Sequence, residues 1–395
     1  MPKISELGSR MPSSPIRKLA PLAREAKKQG VKVYHLNIGQ PDLPTPPKAL
    51  EALKHVDRAT LEYSPSEGYA SLREKLVDYY KRYHIEVSPD EIIVTCGGSE
   101  AILLGLLTCL DPGDEIIMVE PGYANYISFA KTARITVKTV TARIEDGFAL
   151  PPVDAFEKAI TPRTKAILLC NPSNPTGYVY TPEELQQIKE IVVKHDLFLF
   201  SDEVYREFVY NGKPYVSAMS LGIPEHVVMI DSVSKRYSEC GVRIGMLVTH
   251  NKEVHDTVMK FCQARLSPPL LGQIVAEASI EGTQDYAKAC FDEYKARRDF
   301  FIKGLNEIPG VYSPMPEGAF YTVASLPVAD AEDFCRWLLT DFRLNGETVM
   351  MAPAAGFYST PGLGKNQVRM AYVLKIEDLA KALKVLKAAL EAYNK

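Results

Sequence analysis

The chain has 395 residues, 46% of them hydrophobic and 24% charged, the balance of a globular protein and too apolar for wholesale disorder. Lys and Arg total 46 against 49 Asp and Glu, a net charge of −3 that argues against nucleic-acid binding by phosphate neutralisation. No apolar run reaches the roughly 18 residues of a membrane span, and MPKISELGSRMPSSP has no apolar signal core. The seven cysteines are scattered without a CxxC pair, which points to neither a zinc knuckle nor a disulfide framework, so a cytoplasmic protein without a metal site is expected.

The first forty-odd residues hold a basic helical stretch, IRKLAPLAREAKKQG, and a Pro-rich segment, PDLPTPP. They either join a C-terminal unit or cross a subunit boundary. Seven short apolar runs follow: EIIVTC (91–96), EIIMVE (115–120), RITVKTV (134–140), KAILLC (165–170), LFLF (197–200), VVMID (227–231) and IGMLV (244–248). Most are bounded by Gly, Pro, Asp or Asn, and helical patterns such as AILLGLLTCL (101–110) and PEELQQIKEIVVKH (182–195) separate several of them. Strands apolar on both faces that alternate with helices predict an α/β fold with a mostly parallel sheet flanked by helices. In such sheets chemistry gathers at the carboxyl ends of the strands. Beyond residue 280 the pattern changes to one long amphipathic helix (284–308), two strand-like runs, GAFYTVASL and VRMAYV, and a closing helix. This predicts a large unit over 45–283 and a smaller α+β unit built from 1–44 plus 284–395.

Four segments carry candidate chemistry, each directly after a strand. CGGSEAILLGLL (96–107) is a glycine pair and a serine opening a helix, whose free N–H groups suit an anion. NPSNPTG (171–177) is a rigid turn able to aim an amide into a cleft. SDEVYREF (201–208) places Asp202 at a strand end with Tyr205 three residues on. SVSKRYSECGVRIG (232–245) sets Lys235 beside two hydroxyls, with Arg243 among glycines. A nucleophilic lysine needs help in shedding its proton, and arginine clamps phosphate through a two-pronged fork. The last segment therefore reads as a Schiff-base lysine beside a phosphate-bearing aldehyde. Alone, each segment is also an ordinary turn or cap; their order along one sheet gives them weight together.

With VRMAYV, these motifs resemble the class I/II pyridoxal-phosphate-dependent aminotransferases of fold type I, and within them the aspartate aminotransferase group, from about residue 33 to the C-terminus. The resemblance implies a seven-stranded sheet in the large domain, pyridoxal 5'-phosphate as cofactor, and L-amino and 2-oxo acids as substrates, with 2-oxoglutarate as acceptor. It also implies a homodimer with shared active sites. Lys235 would bind the cofactor and shuttle a proton, Asp202 would pair with the ring nitrogen, and Asn174 and Tyr205 would bond the ring's phenolic oxygen. Gly98, Ser99, Glu100, Ser232, Ser234 and Arg243 fall on phosphate-binding positions, and Tyr123 on that of an aromatic stacked against the ring. Arg369 matches the arginine that grips the substrate α-carboxylate, Gly39 a backbone contact to it, and Tyr63 a tyrosine reaching the neighbouring subunit's phosphate. Two residues depart from the family's lysine loop, Glu239 where an apolar residue is usual and Val242 before the arginine, which bears on loop packing. A C–S β-lyase with the same cofactor shares these motifs and is the alternative. For an acidic substrate a second cation is needed; Arg265, Arg17 and Arg236 are the available candidates.

Overall fold

The computed structural model describes residues 2–281 and 284–395, so position 283, where the large unit was expected to end, lies outside the described residues. The first strand, β1 (Lys32–His35), was not singled out from sequence. The seven apolar runs follow as β2 (Ile92–Thr95), β3 (Glu115–Glu120), β4 (Thr136–Thr141), β5 (Thr164–Cys170), β6 (Phe198–Asp202), β7 (Val227–Ser232) and β8 (Gly245–Val248). The C-terminal region supplies β9 (Tyr321–Ser325), β10 (Glu347–Met350), β11 (Ala352–Pro353) and β12 (Gln367–Ala371). Among the described residues no helix is long and apolar enough to cross a membrane.

The seven apolar strands form one sheet in the order β2-β8-β7-β6-β5-β3-β4. All pairs are parallel except those of β8, which runs antiparallel to both β2 and β7. Every residue of β2, β7 and β8 is buried, as strands covered on both faces require. The helix Gly98–Cys109 lies directly on the sheet: a Cβ at Gly105 would stand 2.8 Å from the Phe200 ring, so only glycine permits the approach. Fully buried side chains such as Leu106, Phe200 and Leu247 each contribute roughly 1.5–3 kcal/mol of transfer free energy.

Outside the large sheet, β1 pairs in parallel with β10, and β12 lies antiparallel between β11 and β9. The N-terminal segment is thus joined by hydrogen bonds to the C-terminal elements of its own chain. The basic helix starts later than the sequence pattern predicts, at Ala20, because Pro21 belongs in a first turn and residues 15–19 are held in turns. It ends at Lys28. The long helix runs over Gln284–Asn306 and the closing one over Ile376–Tyr393.

This topology gathers the candidate segments. Strands β2, β3, β5, β6 and β7 all end at one edge, and the reversed β8 begins there, with Thr95 and Ser232 both opposite Gly245. Gly245 touches the loop after β2 so closely that a Cβ would stand 2.3 Å from the Gly97 carbonyl carbon and 2.4 Å from Gly98 N. The antiparallel strand therefore brings Arg243 beside the Gly97–Gly98 turn.

Glu239 sits behind the lysine loop. It is 2% exposed, its Oε1 accepts from the Ser279 hydroxyl of the helix Leu270–Ile280, and its Oε2 has no hydrogen-bond partner among the described residues. Burial pushes its carboxyl up to about 8, against the pull of the Ser279 hydrogen bond and Arg236. Packing in this loop is close, since a Cβ at Gly272 would meet the Val242 carbonyl at 2.6 Å. A carboxyl whose pKa is higher folded than unfolded holds its proton more tightly in the folded state. Its contribution is then full at low pH and is lost as pH rises from the ordinary carboxylate value of about 4.3 through about 8. Glu239→Gln should accordingly match the wild type in melting temperature near pH 5 and exceed it by several degrees near pH 9, measured by calorimetry. Parallel pH curves for the two proteins would contradict this assignment.

Candidate active site

Lys235 lies in the short helix Val233–Arg236 that follows β7. Its Nζ donates to the Gly39 carbonyl at 3.1 Å and stands 3.8 Å from the Cys240 Sγ. Burial pulls its ammonium down, but Tyr321, Cys240 and Tyr123 pull it up against Arg369, and the net direction is upward. The nitrogen is therefore a cation at neutral pH and must lose a proton before it can act as nucleophile or base.

Asp202 ends β6. Its Oδ2 accepts from the Tyr126 hydroxyl at 2.6 Å and its Oδ1 from the Val204 amide at 3.3 Å. Burial raises its carboxyl to about 6, and both hydrogen bonds oppose that rise. Asp202 thus stays largely ionised near pH 7 while sitting in a dry site, where a charge-assisted partner is worth most.

Below these two side chains lies a buried ionic knot. Asp231, wholly buried at the end of β7, accepts from Arg206 at 2.7 Å and pairs with Arg236. Tyr80 donates to the same carboxylate oxygen at 3.0 Å, and Arg206 also donates to Glu203 at 3.0 Å. Two arginines offset two carboxylates. Arg236, one of the cations considered for an acidic substrate, is therefore structural, and 3% exposed.

Arg369, on β12, is 1% exposed. It donates to the Asn37 carbonyl and, at 3.3 Å, to the Asn174 Oδ1, while its Nε has no partner among the described residues. Burial lowers its pKa, against the pull of Tyr321, Tyr205 and Tyr123. The guanidinium lies over the Tyr321 and Phe357 rings, 4.7 and 5.1 Å from their centroids.

Of the residues selected from sequence, Gly39, Gly98, Ser99, Tyr123, Asn174, Asp202, Tyr205, Ser232, Ser234, Lys235, Arg243 and Arg369 all line one cleft of about 720 Å³. Arg243 donates to the carbonyls of Cys240 (2.9 Å) and Cys96 (3.3 Å). The Ser232 hydroxyl donates to the Ile244 carbonyl at 2.9 Å and accepts from the Ser234 hydroxyl at 2.8 Å. Two selected residues do not line it. Glu100 turns back on its own loop, accepting from the Cys96 amide at 2.7 Å and pairing with Arg265 at 3.7 Å, and its own N–H is taken by the Gly97 carbonyl. Tyr63 stands 76% exposed, away from its own chain's cleft. Arg265 is likewise outside the cleft, held by Glu100 and by the carbonyls of Ser66 and Val94.

Two neighbours were not read from sequence, and a third, Gly97, was read only as half of the glycine pair in CGGSEAILLGLL. Tyr126 lies in the same PGYANY run as Tyr123, three residues on, and helical spacing would have placed it beside its neighbour. Tyr321 donates to the Gly39 carbonyl at 3.4 Å and meets the Tyr205 hydroxyl at 3.0 Å; among 21 tyrosines nothing local marks it. Gly97, at φ +80°, leaves room for Arg243, whose Nη2 a Cβ would approach to 2.3 Å.

Tyr126→Phe removes the hydrogen bond that favours the charged form of Asp202, so its titration midpoint, followed by infrared difference spectroscopy of the cofactor-free protein, should move up from about 6. A midpoint that stays or falls would show that the tyrosine does not support the carboxylate.

Comparison with known proteins agrees with this geometry. Residues 31–386 match the family model described as aminotransferase class I and II. An aspartate aminotransferase of Bacillus subtilis is 31% identical over 383 residues, covering 94% of this chain and 95% of that protein. A single mutant of Thermus thermophilus aspartate aminotransferase superposes with a TM-score of 0.90 at 30% identity, over 98% of this chain and 100% of that one. An alanine aminotransferase from Pyrococcus furiosus gives 0.90 at 31% identity, over 99% and 100%. With the match running over nearly its whole length, the chain belongs to the class I and II aminotransferase family.

Proposed function

We propose that the cleft holds pyridoxal 5'-phosphate and that the enzyme moves the amino group of an L-amino acid to a 2-oxo acid. 2-Oxoglutarate is the acceptor in this reading, and the range is aspartate-type or broad. The observation that carries it is the convergence of Lys235, Asp202 and the half-satisfied Arg369 in one cleft at the strand ends.

The residues present fit the cofactor. Amides in the first turn of the helix Gly98–Cys109, the Ser232 and Ser234 hydroxyls and the Arg243 guanidinium make a donor set suited to a phosphate dianion. Asp202, kept charged by Tyr126, suits a protonated ring nitrogen. Tyr205 and the amide nitrogen of Asn174, whose oxygen is already bonded to Arg369, suit a phenolic oxygen, and Tyr123 suits the ring face. When bound, the cofactor supplies an electron sink for the pair left on the substrate's α-carbon as its proton departs.

The chain's own residues do the rest. Arg369 binds the substrate α-carboxylate, which satisfies its orphaned Nε, and its burial strengthens the pair. Asn174 and the Asn37 carbonyl hold that guanidinium in one orientation. Lys235, released from the Gly39 carbonyl and relieved of its extra proton, takes the α-proton on Nζ as a general base and then gives it up again as a general acid. Fixing the carboxylate at Arg369 and the proton acceptor at Lys235 turns a bimolecular encounter into an intramolecular one.

The reading also includes a homodimer in which Tyr63 of one subunit reaches the other's phosphate site. Support comes from an exposed apolar set, with Leu50 at 48%, Leu61 at 65% and Tyr63 at 76%, that a second copy would cover. The smaller unit, 1–44 plus 284–395, supplies Arg369 and Gly39, and the larger, 45–283, supplies Lys235 and Asp202.

Lys235→Ala should keep the cofactor bound, seen in its absorption after gel filtration, while transamination falls at least about 10³-fold, the scale of a lost acid–base group. A variant retaining a tenth of wild-type turnover would overturn the role given to this lysine.

A further inference from the structure

Four cations line the cleft, Arg17, Lys235, Arg243 and Arg369, against a single carboxylate, Asp202. Three of them are committed by contacts: Lys235 to the Gly39 carbonyl, Arg243 to the carbonyls of Cys96 and Cys240, Arg369 to Asn37 and Asn174. Arg17 differs. Its guanidinium has no hydrogen bond, ion pair or ring contact with any described residue.

Its backbone, by contrast, is firmly seated. Arg17 N and Lys18 N both donate to the Ser14 carbonyl, at 3.1 and 3.0 Å, and Asn37 donates to the Ile16 carbonyl at 3.1 Å. Pro15 packs so closely on the turn Ala354–Phe357 that a Cβ at Gly356 would stand 2.4 Å from it. Ile16 packs against the cluster containing Phe357, the ring that also lies under Arg369. A fixed backbone therefore presents a free, exposed guanidinium over the cleft, on the wall shared with Arg369.

The rival cations are excluded by their own contacts: Arg236 is buried in the Asp231 knot, and Arg265 is held by Glu100 outside the cleft. We propose that Arg17 is the specificity residue of this cleft, binding the side-chain carboxylate of a dicarboxylic amino or 2-oxo acid whose α-carboxylate is held by Arg369. The proposal rests on the aminotransferase reading above and adds to it a substrate class and the residue that selects it. Guanidinium and carboxylate match as two parallel hydrogen bonds, which an ammonium does not reproduce. Because Arg17 is exposed, salt screens it more than it screens Arg369.

The test compares wild-type holoenzyme with Arg17→Ala and Arg17→Lys, using kcat/KM for L-aspartate and L-alanine and calorimetric titration with succinate. Arg17→Ala should lose about ten- to a hundred-fold on aspartate, chiefly through KM, the span set by one charge-assisted pair, and stay within about two-fold on alanine. Succinate affinity should fall by a similar factor, Arg17→Lys should recover part of both losses, and the salt dependence of succinate binding should flatten in Arg17→Ala. Equal losses on the two amino acids, or succinate binding unchanged by Arg17→Ala, would overturn the proposal. A wild type that transfers no amino group from either would instead defeat the aminotransferase reading, and the succinate titration would then decide the Arg17 site alone.

Discussion

Asp231 accepts from one arginine that follows β6 and pairs with another that follows β7, and it does so wholly out of water. Arg206 stands four residues past Asp202, and Arg236 is the residue after Lys235. One carboxylate thus fixes the two segments that carry the cleft's acid and its lysine. Burial makes the arrangement unforgiving, because removing one member leaves an uncompensated charge in a low-dielectric interior, at a cost of about 3–5 kcal/mol. The surrounding tyrosines complete the shell. Arg236 lies 4.3 Å from the Tyr79 centroid and Arg206 5.2 Å from that of Tyr80, so both guanidinium faces rest on rings. Neighbouring strands about 4.8 Å apart then set the separation of Asp202 and Lys235 as a property of the sheet rather than of flexible loops.

The electrostatics of the cleft follow from that frame. The knot consumes its own charges and leaves the cleft with an excess of cations over Asp202. Such a cleft attracts anionic ligands, and its parts divide the work by burial. Arg369, deep and half-satisfied, exacts a strong and oriented interaction; Arg243 works beside backbone amides; Arg17, at the solvent side, discriminates among what the others admit. The reversed strand β8 is the other structural requirement: because it starts where the remaining strands finish, the connection from β7 that carries Arg243 stays at that edge.

Much of this was legible in the sequence. The seven apolar runs became the seven strands because continuous Ile, Val and Leu favour burial on both faces, although β4, at the sheet edge, buries only Val140. Motifs directly after strands, such as NPSNPTG and SVSKRYSECGVRIG, reached the same cleft because parallel strands end together. What escaped was of two kinds. Short strands such as β1 and β10 hold only four residues each and owe their existence to pairing with a distant partner. Tyr321 acts through contacts with residues far along the chain, which no local pattern encodes, whereas Tyr126 was within reach of helical spacing from Tyr123. Glu100, inside one of these motifs, uses its side chain to close the motif's own turn by accepting from the Cys96 amide.

Amino-group transfer itself is tested most directly by a half-reaction. The holoenzyme is mixed with single L-amino acids in the absence of any oxo acid, while the cofactor's absorption is followed and the products are assayed. The account predicts conversion of the bound cofactor from its aldehyde to its amine form, with a stoichiometric yield of 2-oxo acid. A spectrum that persists while pyruvate and ammonia accumulate from cysteine or cystathionine would contradict it and establish a lyase.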